Sequence, residues 1–306
     1  MRRLLSIAAM FISVGLFAQD ENLFNHYFIN QGFYNPAFSG FSGKHSLQMA
    51  TRSQWSGFPG APNTYAANYN GPLSQNIGLG VSLFSENIAS FNRYGAGLNY
   101  AFRFEQGDLR ASLGLSTNFQ YHRVADPSTG NSLYENNDNV LADFSRGEAF
   151  FDAGLGVYLS YFNYYFGFTS PNLIQSRIDD ITLDMQENTS VFRHYTVLLG
   201  SFYEFGNTGV SLEPMVFFRK ARNIPMEFSS TVLFGYLDEK IKAGFSYNSA
   251  NDGSLSMIAG TKLNNFHFFY SFNLSFSKFQ QFATGTHEIT IGINFDSRIS
   301  RFRNAY

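Results

Sequence analysis

Leu109 to Tyr121 reads LRASLGLSTNFQY, and its alternation carries the fold. Leu109, Ala111, Leu113, Leu115, Thr117, Phe119 and Tyr121 share one parity, while Arg110, Ser112, Gly114, Ser116, Asn118 and Gln120 share the other. Successive side chains of a strand point to opposite faces, so one face of this segment is apolar and the other is small and polar. The pattern returns in Ile77, Leu79, Val81 and Leu83 against Gly78, Gly80 and Ser82, and again at 241–247, 266–276 and 289–295.

Extending this periodicity along the chain predicts strands at 46–54, 63–71, 76–86, 91–104, 109–123, 149–160 and 163–169. The second half continues with 191–205, 208–220, 226–237, 240–249, 254–262, 265–277 and 285–296. The total is even, and spans of roughly 10 alternating residues suit tilted membrane-crossing strands, so the fold class expected is an all-β transmembrane antiparallel barrel of about 14 strands. Loop lengths agree. The connections at 72–75, 105–108, 161–162, 206–207, 238–239 and 263–264 are all short and fall on one side. The long ones, 124–148 and 170–190, fall on the other.

A water-soluble β-sandwich or propeller would also alternate. Its solvent face would be rich in Lys and Glu, whereas the polar face here is mostly Gly, Ser, Asn and Thr. Only 14% of the 306 residues are charged, against roughly 25% in an average soluble domain. Aromatic residues make up 18%, with 36 Phe and 18 Tyr. Many stand near strand ends (Phe84, Phe102, Phe104, Tyr161, Phe205, Tyr236, Tyr247, Phe276, Phe295), as in membrane-interface girdles. The chain has no cysteine, which removes disulfides, thiolate nucleophiles and thiolate metal cages. A net charge of −2 supplies no basic face, so nucleic acid is not an expected partner.

Residues 1–18 read as a signal peptide. Arg2 and Arg3 form the basic start, 4–17 the apolar run, and Ala18 the small-residue exit. Residues 19–45 then form an N-terminal segment and possible plug, 46–296 the barrel, and 297–306 a short basic tail with Arg298, Arg301 and Arg303.

Placing the apolar parity outward turns Arg52, Arg93, Arg103, Arg110, Asp152 and Glu204 into the lumen, with Glu213, Arg219, Glu227, Lys242, His267 and Glu288. Such mixed charges, with Phe150, Tyr158, Phe202 and Phe217 among them, favour a filled lumen over the ordered ring of charge of a porin. No catalytic set is visible: the six histidines show no metal-binding spacing, GxSxG is absent, and adjacent His287 and Glu288 face opposite ways on a strand. The acidic loop 124–148 fits no known calcium-loop spacing. No enzyme activity, cofactor or metal is expected.

Three further elements are specific. Residues 22–40 read NLFNHYFINQGFYNPAFSG and 52–65 read RSQWSGFPGAPNTY, and 285–289 give Gly-x-His-Glu-Ile. Asn35-Pro36 imposes an extended or turn geometry and Gly40 permits a left-handed one, while Trp55 with Pro59, Gly60 and Pro62 suggests a rigid turn. The chain resembles the PorP/SprF family of outer-membrane proteins of the type IX secretion system and its gliding machinery. The resemblance rests on Tyr34, Asn35, Pro36, Ala37 and Gly40, then Arg52, Gln54, Trp55, Gly57, Ala61 and Pro62 with Thr64, and finally Gly285, His287 and Glu288. It spans nearly the whole chain beyond the signal. It implies a non-enzymatic outer-membrane component in contact with outer-membrane lipid and with periplasmic ring and peptidoglycan-binding components. It further implies a dedicated role for one large secreted protein or adhesin, with the motif residues in structural or partner-contact roles. The second reading is a transporter barrel for a hydrophobic small molecule, of the fatty-acid type, which also carries Asn-Pro-Ala near its N-terminus.

Overall fold

The computed structural model describes residues 24–125, 147–174, 176–177, 194–221, 225–250 and 252–297. Fourteen strands form the wall. They are β1 Lys44–Ser53, β2 Asn63–Pro72, β3 Ile77–Ile88, β4 Phe91–Gln106, β5 Leu109–Val124, β6 Glu148–Tyr161 and β7 Tyr164–Ser170. The remainder are β8 Tyr195–Ser201, β9 Ser211–Lys220, β10 Glu227–Tyr236, β11 Ile241–Asn248, β12 Ser254–Leu263, β13 Phe266–Ser275 and β14 Thr286–Asp296. Every strand pairs antiparallel with its sequence neighbours, and β1 also pairs with β14 from Lys44↔Asp296 to Ser53↔His287. That seam closes the sheet, leaving no strand edge with unpaired backbone groups facing hydrocarbon, where each would cost several kcal/mol.

β1 begins at Lys44 and not at 46, and the strand expected at 191–205 is described as β8 followed by the two-residue strand Tyr203–Glu204. The ladder from β8 to β9 is interrupted beside Pro214, which has no amide hydrogen to give. A two-residue strand, Ser176–Arg177, pairs with β6 inside the connection read from sequence as a long loop. The signal segment, most of loop 124–148, much of 170–190 and nearly all of the basic tail lie outside the described residues.

The outward face is apolar, with Leu83, Leu98, Leu113, Leu115, Phe245 and Met257 all exposed to the surroundings. Phe102, Phe104, Tyr161 and Tyr236 lie outward near the short turns, and Tyr247 and Phe276 near the opposite end. Phe84 corrects the girdle reading: it shares the inward parity of Glu86, and its ring packs edge-on against Phe33 and under the Arg93 guanidinium. From β8 to β13 the inward face is partly apolar: Leu198, Met215, Leu233, Ile258 and Phe269 are buried inward. Leu198, Met215, Leu233 and Phe269 share the parity of Phe202, Glu213, Glu227 and His267, which the sequence already turns inward. These strands are apolar on both faces, so alternation alone does not say which face is which.

What these inward residues cover is the chain's own beginning. Residues 24–43 run through the lumen with a one-turn helix, Gln31–Tyr34, and a 3₁₀ turn, Pro36–Phe38. The segment touches inward residues on β4, β6, β9, β10, β13 and β14.

Candidate functional site

Two anchor points hold the segment, and the motif residues fall on both. The first lies on the closing seam. Arg52 of β1 stands opposite Glu288 of β14, with their charged groups 3.7 Å apart. Both Glu288 carboxylate oxygens also accept backbone amides of the segment, from Asn25 at 2.7 Å and His26 at 2.8 Å. The carboxylate is 1% exposed, and charge-assisted bonds in such surroundings are the strong ones. His26 Nδ1 lies 2.8 Å from Thr290 Oγ1 and 3.3 Å from Glu288. The Arg52 guanidinium supplies a fixed positive charge facing Glu288.

The second anchor is on the opposite wall. Asn35 caps the 3₁₀ turn, its Oδ1 accepting the Ala37 amide at 2.9 Å while its Nδ2 donates to the Val157 carbonyl at 2.9 Å. The turn fits because the wall beneath it has no side chains: Gly114 of β5 and Gly156 of β6 are register partners. A Cβ on Gly114 would stand 2.2 Å from the Ala37 nitrogen, and one on Gly156 the same distance from Asn35 Oδ1. Ala37 is correspondingly 0% exposed. Gly40 completes the turn in the left-handed region, φ 66°, where a Cβ would strike the Gly71 carbonyl at 2.8 Å. Its own carbonyl accepts the Arg103 guanidinium, which also donates to Ser74 and Gln75.

Trp55, Gly57, Ala61 and Pro62 form the loop after β1, at the end away from the short turns. Gln54 is buried and its amide donates to the Pro62 carbonyl at 2.9 Å. Trp55 adopts a positive φ of 51°, and its amide reaches Thr286 Oγ1 at 3.3 Å. Ser56 donates to the Gly285 carbonyl at 2.9 Å and accepts the Thr284 amide at 2.8 Å. The loop is thereby tied to the start of β14. His287 faces outward, its Nδ1 2.8 Å from the Tyr270 hydroxyl, while Glu288 faces inward. The sequence elements at 52–57 and 285–288 therefore form one cluster on the seam, and 34–40 forms a separate one across the lumen.

Several other inward charges are paired as well. Arg93 and Glu86 are 2.8 Å apart, Arg219 and Glu227 3.8 Å, and Lys242 and Glu213 3.5 Å. Asp152 accepts the Ile174 amide at 3.1 Å. Sequence reasoning missed Asn25, Tyr27 and Glu86. Tyr27 stacks on Phe217 with ring centres 4.9 Å apart and donates to Thr231 Oγ1 at 2.8 Å. For Glu86 the available signal was its parity with Gly78, Gly80 and Ser82 in the predicted strand 76–86. Among the described residues no group of His, Asp or Glu has the arrangement of a metal site.

The family model for the type IX secretion system membrane protein PorP/SprF matches residues 16–293. The chain belongs to the PorP/SprF family. It is an integral outer-membrane β-barrel and a component of the type IX secretion system. Within the matched span, Asn35, Ala37 and Gly40 lie at one of the anchors just described and Arg52 and Glu288 at the other. None of the curated proteins matches the sequence. Similar solved structures are other barrels. A FadL homologue of Pseudomonas aeruginosa shares 10% identity at a TM-score of 0.48, covering 86% of this chain and 92% of its own. The Pseudomonas putida toluene transporter TodX shares 8% at 0.47, covering 88% and 95%. Omp33 of Acinetobacter baumannii shares 10% at 0.43, covering 84% and 100%. At such scores none bears on what this PorP/SprF chain binds or carries.

Proposed function

We propose that this PorP/SprF protein is a non-enzymatic, dedicated outer-membrane partner for secretion or surface display of a large secreted protein or adhesin, and that residues 24–43 act as its plug. The observation that carries this reading is the segment's double anchoring, on Glu288 and on the Gly114–Gly156 floor, with its aromatic side chains filling the lumen. A lumen occupied by its own chain, with most of its carboxylates engaged internally, suits a docking and positioning component better than a passage for solutes. Short turns of such barrels lie on the periplasmic side and long loops on the cell surface. The turns at 107–108 and 162–163 are then available to the secretion ring and peptidoglycan-binding components, and the long loops to cargo.

Quantitative surface and medium proteomics of a deletion strain tests this. The expected result is loss of one or a few large proteins from the surface, with their precursors retained in the periplasm and other barrels unchanged. An unchanged secretome with impaired uptake of a hydrophobic nutrient would instead support the transporter reading.

A further inference from the structure

The loop after β1 folds over the outward side of the wall. The Gly60 carbonyl accepts the Ala89 amide at 3.0 Å, which pins the loop to the turn between β3 and β4, as the Ser56 bond to Gly285 pins its other flank. Gly57 and Gly60 bend it with left-handed φ of 89° and 76°. Beneath the loop lies a recess of about 340 Å³, floored by Ser53, Asn63 and Asn87, register partners on β1, β2 and β3. Phe58 lines it and is 45% exposed. The outward row continues into Asn92 of β4 and Arg123 of β5. Two residues closer to the middle of the wall stand Tyr65, Tyr94 and Tyr121, all exposed on the same side.

Depth follows from β4. From Phe104 at the short-turn end to Tyr94 is ten residues, roughly 25 Å of height at about 3.4 Å per residue and a tilt of about 40°, which is the whole apolar band of such a barrel. The tyrosines therefore mark the upper edge of the hydrocarbon, and the amide row lies just above it, among headgroups. The opposite flank differs. At the second position from the strand ends, where Asn87, Asn92 and Arg123 stand, β10 to β13 present Phe228, Tyr247, Leu255 and Leu274. Amide side chains donate and accept side by side, which matches neighbouring hydroxyls of a sugar, and a guanidinium suits a phosphate. The outer leaflet of a Gram-negative outer membrane is glycolipid, whose phosphorylated sugars lie at this depth. We infer that the recess and its amide row bind the phosphorylated saccharide headgroup of an outer-leaflet glycolipid. One sugar ring lies under the loop against Phe58, and the acyl chains run down past Tyr65 and Tyr94. The inference uses the orientation given by loop length and is independent of the cargo role.

The probe is monophosphorylated lipid A, incorporated at increasing fractions into phosphatidylcholine nanodiscs that hold the full-length protein. Native mass spectrometry counts the lipid retained, and Trp55, the single tryptophan and part of the loop, reports binding by fluorescence. One retained lipid A per barrel and a saturable response are expected, with phosphatidylglycerol, anionic but without a sugar, giving neither. The double variant Asn63→Leu, Asn87→Leu should weaken binding by roughly tenfold or more while the barrel remains heat-modifiable. If that variant does not insert, Phe58→Ala decides, at an exposed loop position, with a loss of roughly threefold expected. Absence of retained lipid A on the wild-type protein would overturn the inference. So would equal retention of phosphatidylglycerol, or undiminished affinity in a folded variant. Equal affinity for water-soluble glucosamine 1-phosphate would also overturn it, because the ligand would then be a free saccharide and not a membrane lipid.

Discussion

From β2 to β6 the inward wall is built mostly from small and polar residues such as Asn68, Asn99, Ser112, Gly114 and Gly156, with Phe84 and Tyr158 among them, whereas from β7 to β13 large apolar residues, Tyr165, Leu198, Met215, Phe217 and Phe269, stand among small hydroxyl side chains such as Ser229, Thr231 and Ser256. Both walls hold the same stretch of chain, but by different means. On the first, main chain packs on glycines and accepts side-chain bonds, with ring contacts only at Phe84 and Tyr158 among the described residues. Gly114 and Gly156 let the Asn35–Ala37 turn lie flat, and the Asn99 side chain donates to the Gly32 carbonyl at 3.1 Å. On the second, rings meet rings: Tyr27 on Phe217 at 4.9 Å, and Phe28 edge-on to Phe269 at 5.9 Å. Directional bonds and steric floors on the polar wall fix where the segment sits, and burial on the apolar wall supplies non-directional attraction. Glu288 stands on the seam between the two walls.

A substitution on the polar wall should therefore displace the segment, whereas one on the apolar wall should only loosen it. The largest effect is expected from Gly156→Leu, since even its Cβ has no room beneath Asn35. Because the native chain has no cysteine, Ser39→Cys serves as a clean reporter of position. Thiol labelling in intact membranes should go from protected to rapid in the Gly156→Leu background. Next is Glu288→Ala, which leaves two buried amides and Arg52 without their acceptor. Removing one partner of such a buried pair costs about 3–5 kcal/mol, readable as a lowered unfolding midpoint in urea. Leu113→Arg, on the lipid face and away from both walls, should lower stability by about 2–4 kcal/mol without exposing the reporter. The smallest effect belongs to Tyr27→Phe, which loses only the hydroxyl bond to Thr231, about 1 kcal/mol, and keeps Ser39→Cys protected. Comparable reporter exposure in Gly156→Leu and Tyr27→Phe would erase the distinction between the walls.

Alternation made the wall legible from sequence wherever one face was small and polar, as in 109–121, where facing and register follow from a single period. It said less where both faces were apolar. In Phe266–Tyr270, written FHFFY, the parity of His267 turns Phe269 inward, but periodicity does not reveal what it meets there, Phe28 and His26 more than 200 residues earlier. The motif positions were also visible, but their grouping was not. That Arg52 and Glu288 would be register partners depends on closure between the first and last strands. That Asn35 would sit over Gly156 depends on the path of the segment through the lumen. Neither relation has a local signature. The Glu86–Arg93 pair was half read: Arg93 was placed inward, but Glu86, near the end of its predicted strand, was passed over.

Planar-bilayer conductance tests most directly whether the luminal segment held on these two walls closes the barrel. The intact protein is expected to show little or no steady conductance, and removal of residues 19–40 from a barrel that remains heat-modifiable should open a persistent ion-conducting channel. Large steady channels in the intact protein, or a deleted form that stays folded and silent, would contradict it.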